Sequence, residues 1–363
     1  MTDRVYNFGA GPAMLPEPVM RRIQEEWLNY RGMGVSIIEI SHRADEFIEV
    51  LEEAKALFRE LTNLPDNYRI LFMHGGARMV FSALPLNLAG RSATRKCLYA
   101  ETGNFAKVAA QEAQKFCQVK TVVSSADSGY DHIPELPLEL IDQDAAYLHI
   151  TGNNTIFGTR WSKFPETGKV PLIADMTSEL LSRHIDYRRF GVVYAGLQKN
   201  LGPSGMAMVI IRDDLLGDAD AATPTLLDFT QADKDNSLTN TTNTFAVYVI
   251  QLVLEWLKEQ GGVAAMEKIN EAKAARLYQV IDAGDFYRGI AGKEHRSIMN
   301  VSFLLNGDGL TAKFLQQAEE RGLYALKGYR SVGGVRASIY NPMPMAGVEK
   351  LATFMEEFAA RHG

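Results

Sequence analysis

Two cysteines in 363 residues, Cys97 and Cys117, leave no disulfide framework, and neither a CxxC pair nor a flanking histidine marks a metal site. No run approaches the roughly 18 consecutive apolar residues of a membrane span, so no membrane association is expected. The opening stretch, MTDRVYNFGAGPAMLPEP, lacks a basic region followed by an apolar core, and no secretory signal is expected from it. Basic residues are in the minority. Lys and Arg total 38 against 44 Asp and Glu, a formal charge of −6, which gives no reason to expect nucleic-acid binding. Repeats and low-complexity tracts are absent. The composition, 46% hydrophobic and 23% charged, is that of a globular chain long enough for a large core and more than one domain. A cytoplasmic enzyme is the expectation.

What the chain has in quantity is alternation. Short runs rich in Val, Ile, Leu and Tyr occupy Ile70–His74, Lys96–Ala100, Val119–Val123, Ala146–Ile150, Val170–Asp175, Val192–Ala195 and Met206–Ile211. Helical patterns lie between several of them, notably Ala77–Leu88 and Phe105–Phe116. This predicts an α/β fold with a mostly parallel seven-stranded sheet between helices. A short turn joins the last run to its predecessor, which suits an antiparallel return. Residues 213–244 are polar and read as a long excursion, the kind of loop that is functional or covered by a partner. Helices at Phe245–Gln260 and Met266–Asp282 follow, then a strand Met299–Leu305, a helix Leu310–Arg321, a strand Val335–Ile339 and a last helix. The expected division is a large domain, 16–257, and a smaller α+β domain, 258–363, with segment 1–15 packing against the latter.

The chemistry gathers at few points. In Tyr194-Ala-Gly-Leu-Gln-Lys-Asn-Leu-Gly-Pro-Ser-Gly-Met206 an apolar strand delivers Lys199 to a glycine-rich turn. A lysine desolvated in a cleft has a lowered pKa, as a Schiff-base amine requires; a surface lysine before a tight turn has the same local sequence. Asp175 ends another apolar strand, so a parallel sheet brings both residues to its carboxyl edge, where ligands of open α/β sheets bind. It could equally be the N-cap of a helix in the helix-length segment that follows it. His74-Gly-Gly-Ala-Arg78 leaves a strand and opens a helix, a place for an anion against backbone N–H groups. Phe105 could stack on a ring or belong to the core.

Together these segments resemble the phosphoserine aminotransferases, a branch of the fold-type I pyridoxal-phosphate enzymes. The likeness runs through Asn7–Ala13, Ser41-His-Arg43, His74–Arg78, Asn154-Thr155-Ile-Phe-Gly158, Ala174-Asp175, Gln198–Pro203, Asn240-Thr241 and the long block Leu326–Asn341. It implies Lys199 as the Schiff-base lysine and proton shuttle, and Asp175 as partner of the protonated pyridine nitrogen. It further implies Phe105 stacked on the ring, Thr155 on the phenolic oxygen, and Ala77, Arg78 and Gln198 on the cofactor phosphate. Asn240 and Thr241 would reach the phosphate of a neighbouring subunit, making the enzyme a homodimer with shared sites. Arg336 would take the substrate α-carboxylate, and Arg43 (from the other subunit), Tyr329 and Arg330 the distal anion. The implied reaction exchanges amino groups between phosphoserine and 2-oxoglutarate, with glutamate as the reverse donor, for serine synthesis and, in some members, vitamin B6 synthesis. No metal is implied.

The chain departs from the family pattern at Tyr329, where histidine is usual, at Phe105 for tryptophan, at Ala77 for glycine, and at Asn153-Asn154. Tyrosine donates a hydrogen bond but carries no positive charge near neutral pH. The alternatives are a related aminotransferase of unphosphorylated acids, such as the alanine–glyoxylate type, and a non-catalytic cofactor-binding regulator.

Overall fold

A computed structural model describes residues 4–363. The seven expected strands all form: β1 (Tyr68–His74), β2 (Lys96–Glu101), β3 (Gln118–Ser124), β4 (Leu148–Thr151), β5 (Leu172–Asp175), β6 (Val192–Gly196) and β7 (Met206–Arg212). They make one sheet in the order β1-β7-β6-β5-β4-β2-β3. Pairing is parallel from β6 across to β3, while β7 runs antiparallel to both β6 and β1. Alternate residues of each strand enter different cores, as a period of two demands. Along β7, Met206, Met208 and Ile210 join the cluster on one face, and Ala207, Val209 and Ile211 the cluster on the other. Burial on both faces explains why these strands read as continuous apolar runs.

A third core lies in the C-terminal region, around the antiparallel strands β8 (Tyr287–Gly289), β9 (Asn300–Leu305) and β10 (Val335–Ser338), in the order β8-β9-β10. Tyr6–Asn7 pairs in parallel with Leu323–Tyr324, and Phe8 is fully buried in this core. The helix Gly262–Ile281 serves both regions. Its Val263 and Met266 pack in the main core and its Ala274, Leu277 and Val280 in the C-terminal one.

Three local expectations are corrected. No α-helix connects β5 to β6: residues 176–191 form tight turns and one 3-10 turn, Tyr187–Arg189. Leu181, at φ 62°, takes the left-handed conformation that ends helical propagation. Residues 213–244 are not simply a polar loop. They hold the helix Phe229–Lys234, capped by the Asp228 carboxylate on the N–H groups of Thr230 and Gln231, with Phe229 and Leu238 buried. The helix expected to start at Met266 begins at Gly262, right after Gly261 turns the chain at φ 91°.

Candidate active site

The strand ends meet where the sheet directs them. Thr151 of β4 lies opposite Asp175 of β5, and Asp175 opposite Tyr194 of β6. Beyond this carboxyl edge lies a cavity of about 430 Å³, whose wall includes Ala77, Arg78, Phe105, Thr155, Asp175, Gln198 and Lys199. Seven residues that sequence reasoning scattered over 123 positions thus share one space.

Lys199 follows β6 by three residues and is only 6% exposed. Its Nζ donates to Thr155 Oγ1 at 2.6 Å and lies 5.8 Å from the Phe105 ring centre and 5.9 Å from that of Tyr340. Burial draws its pKa down to about 7; the Asp175 carboxylate opposes the shift and the Arg336 guanidinium adds to it. Near neutral pH a substantial part of the amine is therefore unprotonated and available as a nucleophile.

Asp175 is 5% exposed, and burial raises its pKa despite hydrogen bonds from the Thr177 N–H (2.9 Å) and hydroxyl (2.6 Å). Both bonds fall on Oδ1. Asp175 thus fixes the turn after β5, but no helix starts there for it to cap. A carboxylate destabilised by burial is one that a cation in the cavity would stabilise. Behind it, the Tyr194 hydroxyl meets His149 Nε2 at 2.8 Å, and His149 stacks on Tyr99 with ring centres 4.9 Å apart. Burial pulls His149 down to about 3, so this support is neutral.

At the end of β1, Gly75 and Gly76 take φ values of 84° and 74°, open only to glycine at low cost, and the helix Ala77–Leu88 starts immediately. Gly75 N–H donates to Gly205 O at 2.9 Å, tying this turn to the one that carries Lys199. Ala77 and Arg78 stand in the first turn, where free N–H groups and the helix dipole favour an anion.

Arg336 lies close enough to shift Lys199, although it does not line the cavity. Its Nε is buried without a partner, and burial lowers its pKa against the opposing pull of Tyr340 and Tyr329. An unpartnered buried donor costs ~1–3 kcal/mol, which an anionic ligand would recover. Tyr329, by this electrostatic contact, stands near Arg336 and is 41% exposed. Arg330, Arg43, Asn240 and Thr241 are exposed and are not brought to the cavity by their own chain. Arg43 instead reaches Leu238 O at 3.5 Å, and Asn240 borders a small niche with His74.

Several residues at the site escaped sequence reasoning. Thr177 has no motif. Tyr340 stands inside a resembling block and Asn153 just before one, but neither received a role. Asn153 Nδ2 donates to Ser178 Oγ (2.7 Å) and Asn300 Oδ1 (2.8 Å), and Asn300 Nδ2 to the Tyr340 hydroxyl (3.2 Å). That hydroxyl donates to Ala10 O at 2.9 Å, closing the wall beside Gly11 and Pro12. Such a network joins five segments distant in sequence.

The donor set fits pyridoxal phosphate on the structure's own terms. A depressed amine answers its aldehyde, a destabilised carboxylate its ring nitrogen, and a glycine-opened helix start its phosphate. Among the described residues, no group of three or more His, Cys, Asp or Glu could hold a metal ion.

Comparison with known proteins agrees with this reading. The aminotransferase class-V family pattern matches residues 5–351. The chain is 49% identical to phosphoserine aminotransferase of Bacillus cereus over 98% of both chains, and 48% identical to that of Listeria monocytogenes over 99% of this chain and 98% of the other. Among solved structures, phosphoserine aminotransferase from Bacillus circulans subsp. alkalophilus is 42% identical, with full coverage of both chains and a TM-score of 0.96. A pyridoxal-phosphate-bound phosphoserine aminotransferase from Trichomonas vaginalis is 36% identical over 97% of this chain and 100% of the other, with a TM-score of 0.92. With a family match across nearly its whole length and a site built to hold that cofactor, the chain belongs to the class-V aminotransferases.

Proposed function

We propose that the enzyme interconverts 3-phosphohydroxypyruvate plus L-glutamate with O-phospho-L-serine plus 2-oxoglutarate. The observation that carries this reading is the buried Lys199 amine in one cavity with a buried Asp175 at the same sheet edge. The names of the relatives supply the substrate. Bound pyridoxal phosphate supplies an electron sink and a carbonyl that can exchange amino groups.

The chain's own residues do the rest. Lys199 Nζ, unprotonated, would hold the cofactor at its carbonyl end and carry a proton at the substrate α-carbon. Thr155 Oγ1, bonded to that Nζ, sets its direction. Asp175, held by Thr177, keeps a proton at the ring nitrogen. Phe105 offers an apolar face, and Ala77, Arg78 and Gln198 hold the phosphate end. Arg336 binds the α-carboxylate with its unpartnered guanidinium edge. Tyr329, Arg330 and Arg43 meet the distal phosphate or carboxylate.

The assembly we propose is a cytoplasmic homodimer. Both cysteines are free thiols, and no helix among the described residues is long and apolar enough to cross a membrane. Trp27, Leu28, Met33, Val35 and Ile38 are exposed within one short stretch, Leu28 by 79%. Apolar exposure of this density, so near Arg43 in sequence, suits a surface covered by a second copy. Asn240, Thr241 and Arg43 would then serve the partner's cavity. The related phosphohydroxythreonine step of vitamin B6 synthesis belongs to the same proposal, because its substrate carries the same two anionic ends.

A panel of half-reactions tests the substrate. The visible spectrum of the cofactor-loaded enzyme is followed with phosphoserine, glutamate, serine and alanine as amino donors. Conversion by phosphoserine and glutamate, and little by serine or alanine, is expected. Equal conversion by serine would remove the phosphate from the reading and leave an aminotransferase of small acids.

A further inference from the structure

Lys273 is fully buried and takes no part in the chemistry above. It sits in the middle of the helix Gly262–Ile281, at the joint between the two packing regions of that helix. Its Nζ donates to three backbone oxygens, those of Ile339 at 3.0 Å, Tyr340 at 2.9 Å and Met343 at 3.1 Å. An ammonium group has three protons, and here each has an acceptor. Burial is the sole cause that draws its pKa down, to about 7, and no carboxylate offsets it. Lysine is almost never fully buried unpaired, and an apolar side chain of similar volume usually stabilises such a joint at least as well. The three oxygens give the charge a local purpose. They belong to the turn that follows β10, and that turn carries Tyr340.

One helical turn earlier, Asn270 is also fully buried. Its Nδ2 donates to Ser182 O and to Asn341 Oδ1, both at 2.9 Å. The Asn341 N–H in turn donates to Asn200 Oδ1 at 3.0 Å, and Asn200 is the residue next to Lys199. The helix therefore grips residues 339–343 from one side, while the catalytic turn grips them from the other. Tyr340 lies between, with its ring near Lys199 Nζ and its hydroxyl on Ala10 O.

We propose that Lys273, with Asn270, is a positioning residue for transamination, closing the 339–343 turn so that Tyr340 is fixed beside Lys199 and against the cavity wall at Ala10. The inference rests on the reading of Lys199 as the reacting amine. Arg336 is anchored separately, by its N–H on Leu326 O and its pairing with Ser302. Loss of Lys273 should therefore affect turnover more than substrate binding.

The test is a double-mutant cycle on the cofactor-loaded enzyme, with Lys273→Met, Tyr340→Phe and their combination. It reads the turnover rate, the KM for the amino donor that the wild type uses, and the pH midpoint of the bound cofactor's visible absorption. Lys273→Met is expected to lower kcat about tenfold, change KM less than about threefold and shift the midpoint. In the Tyr340→Phe background it should cost no more than about a further twofold, because the two side chains act through one contact. A larger further loss, or an unmoved midpoint in Lys273→Met, overturns the proposal. If Lys273→Met does not fold, Asn270→Ala goes through the same cycle under the same criteria. Borohydride reduction followed by peptide mass mapping separates the two readings. If the cofactor is not found on Lys199, the reading of the site fails; if it is found there and the cycle is additive, the role of Lys273 alone fails.

Discussion

At the floor of the cavity Lys199, Thr155, Asp175 and Asn153 are all buried, and each hydrogen-bonds another side chain of the same chain. In the proposed rim, Tyr329, Arg330 and Arg43 are exposed, and among the described residues Arg330 forms no ion pair. The floor is set by strand ends of one sheet, where a side chain's place follows from register. The rim is set by the loop after Leu326 and by a segment far along the surface. Chemistry common to all aminotransferases can be fixed at the floor before any ligand arrives. On the proposed function, discrimination between substrates falls to the exposed groups outside this floor.

The contrast can be broken at its deep end first. Lys199→Ala should lower turnover by ~10³-fold or more, because nucleophile and proton shuttle disappear together. A loss under tenfold in steady-state turnover would mean that the floor does not hold the chemistry. Arg336→Ala, at the boundary between floor and rim, should cost roughly 10- to 100-fold in kcat/KM, the worth of a charge-assisted contact. The loss should be similar for glutamate and phosphoserine, since both present an α-carboxylate. Kinetics that suffer with only one donor would move Arg336 to the rim.

The pH dependence of the floor comes next. Lys199 has a folded pKa near 7, below the ordinary 10.5, so cofactor uptake by the unloaded enzyme should accelerate about tenfold per pH unit below 7 and level off above it. Stopped-flow absorbance reads this directly, and a midpoint near 10 would show an ordinary solvated lysine. The sign for stability follows from the same depression. Below 7 both folded and unfolded chains hold the proton, and between 7 and 10.5 only the unfolded chain does, so this residue's contribution to stability rises with pH across that window. The smallest change is expected at the rim. Tyr329→His should alter kcat/KM for phosphoserine by less than about tenfold, with its gain growing as the pH falls below about 6.5 and the imidazole becomes charged. No change for phosphoserine at any pH would place the residue outside the anion site.

Much of the floor was legible in the sequence for the reason that it is rigid. Strand ends such as Asp175 and the Lys199 turn are marked by an apolar run that stops, and a sheet converts that mark into position. The helix Ala77–Leu88 was legible to the residue, because Gly75 and Gly76 announce its start. The link between β5 and β6 has the length of a helix, which left a helix capped by Asp175 open as a reading of the sequence. Only the fold imposes the left-handed Leu181 that interrupts it. The short helix Phe229–Lys234 was hidden among Asp, Thr and Asn residues, with Phe229 and Leu238 too isolated to form a pattern. Thr177, Asn270 and Lys273 were invisible because polar residues show no periodicity, and their partners are up to 88 residues away.

The antiparallel strand β7 has a consequence for how the gene can vary. It returns the chain beside β6 after nine residues, 197–205, which hold Lys199, and it meets β1 on its other side. Gly205 O is also the acceptor for the turn at Gly75. An added or deleted residue between 197 and 205 would slip one pleat against two neighbours at once and turn the β7 side chains inside out. This short stretch should therefore keep its length through insertions and deletions that loops elsewhere on the surface absorb.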